Sequence, residues 1–238
     1  MPTSAPDKSP ARISGMFDSI APRYDLLNRV LSAGLDQQWR HRAIAALGLG
    51  PRPQVLDLCT GTADLALAAL QRHPDAEVVG VDFSGAMLRL GLVKVRAATL
   101  DRKIRLVRGD ATRIPLEDRS RDAATIGFGI RNVAEPGQAL AELARVLRPG
   151  GRLAILEFGH PRIPGIRTLY LWYFKYLLPA IGRLVSRHGS AYSYLPASVG
   201  TFPAPPEFMR MLESHGFVKV EAVPLTFGIV YLYVATRN

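Results

Sequence analysis

Short apolar runs alternate with amphipathic segments of helical period along most of the chain. Runs of five to seven mainly apolar residues are typical of strands that are buried on both faces of a sheet. Such runs predict strands at 54–58, 77–82, 104–109, 122–128 and 152–158. The segments between them predict helices at 62–72, 84–99 and 136–147. This alternation indicates a parallel sheet covered by helices.

The last third of the chain follows a different pattern. A predicted helix at 205–215 precedes two predicted strands at 217–224 and 227–235, with a short turn between them. So short a connection can join only antiparallel strands. A mostly parallel seven-stranded sheet with an antiparallel C-terminal strand, and no GxGxxG motif, is typical of the Rossmann-like class I S-adenosylmethionine-dependent methyltransferase fold. The sequence therefore predicts an α/β protein of that class.

Three segments lie outside this core. Residues 1–11 are polar and rich in proline, which predicts a disordered tail before a single domain at 12–238. Within that domain, 12–50 predicts an N-terminal helical cap and 163–188 an aromatic helical insertion. The insertion carries Lys175, Pro179 and Arg183, so a membrane-spanning helix is not expected. It could be a lid over an apolar ligand, a helix on the membrane surface or a core helix, and the sequence leaves these open.

The chain has 238 residues and a formal net charge of +10. This charge favours an anionic partner, either nucleic acid or an anionic membrane surface, although the arginines are scattered and also fit an ordinary solvated surface. The single cysteine, Cys59, excludes an intrachain disulfide, which fits a cytoplasmic protein. The five histidines lie far apart in sequence, so no metal site is expected.

The segment VLDLCTGTADL at 55–65 predicts a cofactor loop. An apolar strand carries Asp57 near its end, small residues follow, and a helix then begins, with N–H groups that attract polar ligands. The loop has only Gly61 where a pyrophosphate cradle needs three glycines, which argues against a dinucleotide. S-adenosylmethionine has no phosphate. We expect Asp57 to meet its ammonium group, and Gly61 and Thr62 to meet its methionine end.

Two further strand ends complete the predicted cofactor site. Asp82 follows the second strand, where an acid suits the two hydroxyls of a ribose. Asp110 follows the third strand and could accept a hydrogen bond from an adenine amine, to which Ala111 would add its N–H group. The order of these elements predicts S-adenosylmethionine as the cofactor.

Several segments resemble known proteins. VLDLCTGTADLA, VVGVDFSGAML, GDATRIPL and LARVLRPGGRLAILEF look like the cofactor core of class I methyltransferases. Outside the core, YDLLNRVLSAGLDQQWR at 24–40 and FGIRNV at 128–133 resemble the menaquinone/ubiquinone biosynthesis C-methyltransferase family. The resemblance spans roughly 16–237. Three positions depart from the family: Ala63 replaces a glycine, Gly127 a serine and Asp110 an asparagine. We expect the Ala63 methyl group to tighten the approach to the cofactor.

The resemblance implies methyl transfer to a ring carbon of a prenylated quinol, with demethylmenaquinol converted to menaquinol. A ubiquinone-pathway benzoquinol and other small phenolic or lipid acceptors are the alternatives. A quinol must ionise to become a good carbon nucleophile, and Arg131 is our candidate for favouring its oxyanion. We expect Asn132 to orient an oxygen, and Tyr24 and Asn28 to close over both ligands.

The prenyl tail would give the aromatic insertion a purpose. Trp172 could line an apolar opening toward the bilayer, with the neighbouring cations Lys175, Arg183 and Arg187 contacting head groups. This predicts a cytoplasmic protein in peripheral contact with the membrane face. The oligomeric state stays open, with a homodimer among the alternatives.

Each of these residues also has a purely structural interpretation. Arg131 could pair with Glu135 or Glu157, Asn132 could cap a turn, and Tyr24 could anchor the preface helix. Asp25 could pair with Arg29 one helical turn on.

Two other functions are less well supported by the sequence. An RNA methyltransferase lacks support because no Asn-Pro-Pro-Tyr motif or Cys-Pro nucleophile is present, so no nucleic-acid partner is expected. A non-catalytic scaffold would not need acids at 57, 82 and 110.

Overall fold

The computed structural model describes residues 8–159, 161, 163, 165, 168 and 190–238. Their strands form one seven-stranded sheet in the order β3-β2-β1-β4-β5-β7-β6. Strands β1 to β5 are parallel, and β7 is antiparallel to both of its neighbours. The predicted fold class is confirmed. The strands are β1 Gln54–Leu58, β2 Glu77–Asp82, β3 Ile104–Arg108, β4 Arg121–Gly127, β5 Leu147–Phe158, β6 Phe217–Leu225 and β7 Val230–Arg237.

Helices cover both faces of this sheet. Neighbouring residues of one strand point to opposite faces, so Val55 and Ala123 pack in one apolar cluster while Leu56 and Ala124 pack in the other. Two buried faces explain why the strands are apolar throughout. The described helices are α1 Pro10–Leu31, α2 Leu35–Ala46, α3 Asp64–Arg72, α4 Gly85–Ala97, α5 Pro136–Val146, α6 Ser190–Thr201 and α7 Pro205–Ser214, with 3-10 turns at Ile130–Asn132 and Thr226–Gly228.

Three of the differences between predicted and observed boundaries have a clear local cause. Helix α3 begins at Asp64 because Ala63 has a left-handed backbone, with φ +66°. Helix α5 ends at Val146 because Leu147 is extended and begins β5, whose pairing to β4 skips from Leu147 to Arg152 across the Pro-Gly-Gly turn. Strand β7 begins at Val230 because a 3-10 turn occupies Thr226–Gly228, where Phe227 has φ +59°.

The N-terminal helices lie beside the sheet's covering helices, α1 against α4 and α2 against α3. Helix α1 begins at Pro10, so the last two residues of the predicted 1–11 tail are helical. Nearly all of the predicted insertion at 163–188, including Trp172, lies outside the described residues. None of the helices that the structure describes is both long enough and apolar enough to cross a membrane.

Candidate active site

A cavity of about 320 Å³ opens at the carboxyl edge of the sheet, where the order of the strands reverses between β1 and β4. Open α/β sheets bind their ligands at this kind of edge. Helix α1 closes the other side of the cavity. The lining of the cavity includes Lys8, Ile13, Phe17, Tyr24, Cys59, Gly61, Asp82, Asp110, Ala111, Phe128, Asn132, Val133 and Glu135.

Asp82, at the end of β2, lies on this cavity as the sequence predicted. Its Oδ2 atom accepts a hydrogen bond from the Gly61 N–H at 2.8 Å, and its Oδ1 atom accepts one from the Ser84 N–H, also at 2.8 Å. The carboxylate therefore ties together the turns that follow β1 and β2. Burial raises the pKa of Asp82. Gly61 also lines the cavity, but its N–H group is already bonded to Asp82.

Asp110 and Ala111 also lie on the cavity, after β3. The Asp110 Oδ1 atom accepts hydrogen bonds from both the backbone N–H and the hydroxyl of Thr112, each at 2.8 Å. Among the described residues nothing donates to the other oxygen, Oδ2. One acceptor on the cavity wall is thus free for a ligand donor such as an amine.

The loop after β3 is held from outside by an arginine that the sequence analysis did not single out. Arg145 of α5 donates to the carbonyl oxygens of Ile114 at 2.9 Å and Leu116 at 2.8 Å. Glu142 accepts from the Ile114 N–H at 2.8 Å, and Arg145 lowers the pKa of that carboxyl. No sequence motif marks this support, because the two residues act on a loop 28 or more positions away.

Asp57 lies behind the loop and is 1 % exposed. The Thr60 hydroxyl donates to its Oδ2 atom at 2.5 Å, and the Thr125 hydroxyl donates to its Oδ1 atom at 2.8 Å. Burial raises the pKa of Asp57 to about 6. The residue borders a separate small cavity of about 40 Å³ and is absent from the lining of the large one. The Asp57 carboxylate therefore holds the loop in place through these hydrogen bonds. Its contact with a ligand ammonium group stays a prediction.

Thr62 borders the same small cavity, and its hydroxyl is used within the protein. It donates to Asp25 at 2.6 Å and accepts from the Lys94 ammonium at 3.1 Å. Lys94 is also 2.9 Å from Asp25, whereas Arg29 is 3.7 Å from Asp36. The alternative pairing of Asp25 with Arg29 is therefore wrong, and the Thr62 hydroxyl joins α1 to α4 in place of facing the large cavity.

These contacts belong to a larger network of charged residues. Lys94 also forms an ion pair with Asp64, whose other oxygen lies 3.1 Å from Arg40. Arg40 in turn pairs with Asp36. The network links all four of the first helices and holds the helical cap over the cofactor loop. The sequence motif that ends in Arg40 pointed to the family, but it gave no partner for this residue.

The sequence-predicted catalytic arginine, Arg131, is 7 % exposed and forms an ion pair with the fully buried Glu157, with Nη1 and Oε1 at 2.8 Å. Its Nη1 atom also donates to the Phe128 carbonyl. The guanidinium carbon is 5.3 Å from the centre of the Phe158 ring. Its side chain is absent from the cavity lining. The structure thus contains the pairing with Glu157 that was one alternative, and it places Arg131 directly behind the turn that carries Asn132.

Asn132 and Tyr24 reach the cavity themselves. The Asn132 amide donates to the Phe128 carbonyl at 3.3 Å, and its buried Oδ1 atom has no partner among the described residues. The Tyr24 hydroxyl is hydrogen-bonded to Asn28, and burial raises its pKa. Asn28 itself is absent from the lining, so it acts on the cavity through Tyr24.

Two small residues of the cofactor loop, Ala63 and Cys59, have distinct places in the structure. Ala63 is fully buried in the core cluster beneath α2 and α3, so its methyl group does not narrow the cavity. The expected tighter approach to the cofactor is wrong. Cys59 lies on the cavity with its thiol pKa raised well above the usual value by burial and nearby carboxylates, which makes a nucleophilic role unfavourable.

The charged groups on the cavity indicate what can bind there. Among the described residues, three acids, Asp82, Asp110 and Glu135, lie on the wall with one cation, Lys8. Carboxylates would repel a pyrophosphate, whereas hydroxyls, an adenine amine and a positively charged sulfonium suit them. No group of side chains in the described part of the chain could hold a metal ion. The donor set fits S-adenosylmethionine.

Comparison with solved structures agrees on the fold. The [4+2]-cyclase SpnF aligns with a TM-score of 0.69 at 15 % identity, covering 100 % of this chain and 98 % of its own. A putative S-adenosyl-L-methionine-dependent methyltransferase from Methanococcus maripaludis aligns with a TM-score of 0.66 at 18 % identity, covering 100 % and 97 %. One fold thus carries different named reactions, so these likenesses establish architecture alone.

Sequence comparison is more specific. The model of the ubiE/COQ5 methyltransferase family matches residues 6–237. The ubiquinone/menaquinone biosynthesis C-methyltransferase UbiE of Syntrophotalea carbinolica is 48 % identical, over 94 % of this chain and 93 % of that protein. The demethylmenaquinone methyltransferases of Deinococcus radiodurans and Thermus thermophilus are each 48 % identical, over 98 % and 93 % of this chain and 95 % and 100 % of theirs. Together with the site, these matches show that the chain belongs to the ubiE/COQ5 methyltransferase family and is an S-adenosylmethionine-dependent methyltransferase.

Proposed function

We propose that this enzyme methylates a ring carbon of a prenylated quinol and that demethylmenaquinol is its acceptor. The observation that carries the proposal is the mixed lining of the cavity. Asp82 and Asp110 supply polar groups after β2 and β3, while Ile13 and Phe17 of α1 and Phe128 after β4 supply apolar surface. A polar cofactor and a flat, apolar ring system need such a pair of surfaces side by side. Relatives at 48 % identity carry names that specify demethylmenaquinone.

The chain's own residues would prepare the acceptor. S-adenosylmethionine, when bound, supplies an electrophilic methyl group on its sulfonium. A phenolic hydroxyl has a pKa of ~10, so a quinol needs help to ionise near neutral pH. The unpartnered Asn132 Oδ1 atom can accept a hydrogen bond from a quinol hydroxyl, and Tyr24 offers a hydroxyl on the same wall. Holding two reactants in place can contribute ~7–11 kcal/mol to catalysis.

Arg131 acts as a positioning residue in the proposed reaction. Its hydrogen bond to the Phe128 carbonyl and its ion pair with Glu157 fix the turn that presents Asn132. Because Glu157 balances its charge inside the wall, the favourable field that Arg131 exerts on a quinol oxyanion is weaker than that of a free guanidinium. The proposed substrate contacts are therefore Asn132 and Tyr24, with Asn28 holding the Tyr24 hydroxyl.

A prenylated quinol resides in a bilayer, so the proposal includes peripheral contact with the cytoplasmic face of the membrane. Support comes from the net charge of +10 and from two exposed apolar residues on α1, Leu26 at 60 % and Val30 at 53 %. Co-sedimentation with anionic liposomes at low salt tests this part. We expect the wild type to sediment and the variant Trp172→Ala/Arg183→Glu to stay in solution. If both proteins sediment equally, the 163–188 segment does not mediate the membrane contact.

The methyl acceptor itself is tested with methyl-labelled S-adenosylmethionine and short-chain quinols that have been chemically reduced. We expect label to appear on the ring of a demethylnaphthoquinol, with slower transfer to the matching benzoquinol. Faster transfer to the benzoquinol would move the assignment to that acceptor. Measurable cofactor binding with no transfer to either reduced quinol would reject the proposed function.

A further inference from the structure

Lys8 is part of the cavity, although the sequence analysis placed it in the predicted tail. It lies two residues before α1, and Ile13 N–H donates to the Ser9 carbonyl at 3.0 Å, which continues the helical hydrogen bonding back to the residue next to Lys8. Ile13 and Phe17, on the following turns of α1, line the same wall. The position of Lys8 is thus set by the start of a helix that itself forms the site.

Within the part of the chain that the structure describes, Lys8 is the cation of the cavity wall that has no ion-pair partner. Arg131 is nearby, but its guanidinium is 2.8 Å from a Glu157 oxygen, so that pair is neutral overall. Lys8 has no ion pair within the described residues. Glu135, Asp82 and Asp110 are the acidic residues that line the same cavity. Burial of Lys8 and repulsion by Arg131 lower its pKa, while Glu157 opposes this shift.

Asn132 adds a second, independent feature on the same wall. Its Oδ1 atom is buried without a partner among the described residues, and the residue is 8 % exposed. A buried polar atom without a partner is unusual in a folded protein and is accounted for when a ligand supplies the partner. An ammonium donor suits an oxyanion and a carboxamide acceptor suits a hydroxyl, so the pair matches a quinol that has one ionised and one protonated oxygen.

We propose that Lys8 is a further catalytic residue, whose ammonium contacts the acceptor's ring oxygen and stabilises its oxyanion. The inference rests on the proposed function, because it takes a phenol-type acceptor as given. The step that Lys8 assists is an ionisation in which the O–H bond breaks, the electron pair stays on oxygen and the proton passes to water. A positive charge beside the oxygen favours the anion and so makes the ring carbon a better nucleophile.

The test uses a coloured phenol so that binding is read without turnover. The full-length enzyme is titrated with 4-nitro-1-naphthol, whose anion absorbs in the visible range, over a series of pH values. The variants are Lys8→Met, which removes the charge, and Lys8→Arg, which keeps it. Arg23→Met is the matched control, since Arg23 is an exposed cation on α1, the helix that follows Lys8, and is absent from the cavity.

We expect the wild type, Lys8→Arg and Arg23→Met to lower the pKa of the bound naphthol, and Lys8→Met to bind the anion about tenfold more weakly. In the methylation assay kcat should fall at least tenfold for Lys8→Met, while the dissociation constant of the cofactor is unchanged. If Lys8→Met binds the naphtholate and turns over as the wild type does, the inference is overturned. If the wild type methylates no quinol while Lys8→Met still loses naphtholate binding, the proposed function fails and the oxyanion contact stands.

Discussion

Arg131 and Glu157 form an ion pair inside the wall of the active site, with Nη1 and Oε1 2.8 Å apart and neither residue more than 7 % exposed. Glu157 also accepts a hydrogen bond from the Phe158 N–H at 2.8 Å, so the pair is tied to the end of β5. Breaking such a pair leaves a buried charge without compensation. The arginine of the FGIRN motif is thus coupled to the sheet on one side and to the turn that presents Asn132 on the other.

Replacement of Arg131 by alanine should abolish most turnover and leave cofactor binding nearly unchanged. The substitution removes the donor to the Phe128 carbonyl, so the turn that carries Asn132 loses its support, whereas Asp82 and Asp110 keep their contacts. We expect kcat to fall at least a hundredfold, with the dissociation constant of S-adenosylmethionine within about twofold of the wild type by calorimetry. Arg131→Lys, which can still pair with Glu157, should recover part of kcat. If folded Arg131→Ala turns over as fast as the wild type, Arg131 does not support the turn that presents Asn132.

The sequence predicted the sheet well because its strands are apolar on both faces and end at marked turns. Asp82, Asp110, Ala111 and Asn132 line one cavity because the carboxyl ends of parallel strands meet at one edge, and Tyr24 joins them from α1. Their predicted contacts with cofactor and acceptor stay predictions. Helix boundaries at Ala63 and Leu147 were missed because a left-handed alanine and a strand that starts before a Pro-Gly-Gly turn have no clear local signal.

Long-range side-chain pairing was the other part that sequence could not supply. The hydroxyl of Thr62 is 37 positions from its partner Asp25, and the Arg131 to Glu157 pair spans 26 positions. Such pairs depend on which strands and helices become neighbours, so spacing along the chain favoured the local alternative of Asp25 with Arg29. Lys8 was missed for a related reason, because only the observed start of α1 brings a polar N-terminal segment to the cavity.

The buried carboxyl of Asp57 should make folding stability depend on pH. Its pKa is about 6 in the folded protein, above the value of ~3.9 expected when unfolded, so the folded state binds the proton more tightly. The stabilising effect is fully present below pH ~4 and is lost as pH rises through about 6. A shift of this size corresponds to about 3 kcal/mol.

Asp57→Asn removes this titration and can still bond to the Thr60 and Thr125 hydroxyls, which both donate and accept. We therefore expect the free energy of unfolding of Asp57→Asn, relative to the wild type, to rise by about 2 kcal/mol between pH 4 and pH 7 in urea titrations, since the unfolded carboxyl is already half ionised at pH 4. Asp101→Asn, at an exposed turn, is the control and should follow the wild type. Parallel pH profiles for Asp57→Asn and wild type would show that the buried carboxyl does not titrate in this range.

Lys94 should couple the helical cap to the cofactor loop. Its ammonium contacts Asp25 of α1 at 2.9 Å, the Thr62 hydroxyl at 3.1 Å and Asp64 of α3. Because Lys94 is partly exposed, we expect Lys94→Met to lower the free energy of unfolding by only about 1 kcal/mol. Local loosening should be larger, with faster hydrogen exchange of α1 amides and weaker cofactor binding. Arg96→Met, an exposed position on the same helix, should change neither. If the α1 amides of Lys94→Met exchange at the wild-type rate, Lys94 does not couple the helical cap to the cofactor loop.

Arg145 should support cofactor affinity without taking part in methyl transfer. Its guanidinium donates to the carbonyls of Ile114 and Leu116, which follow the segment where Asp110 and Ala111 line the cavity. Hydrogen bonds from a charged donor contribute roughly 1.5–3 kcal/mol, so Arg145→Met should weaken S-adenosylmethionine binding about tenfold. Turnover at saturating cofactor should stay within about twofold, because Asn132 and Tyr24 are untouched. The matched control is Arg148→Met. It removes a partly exposed arginine that pairs with Asp122 near the amino ends of β4 and β5, away from the cavity. A large fall in kcat with unchanged cofactor affinity would mean that the loop after β3 positions the acceptor and contributes little to holding the adenine.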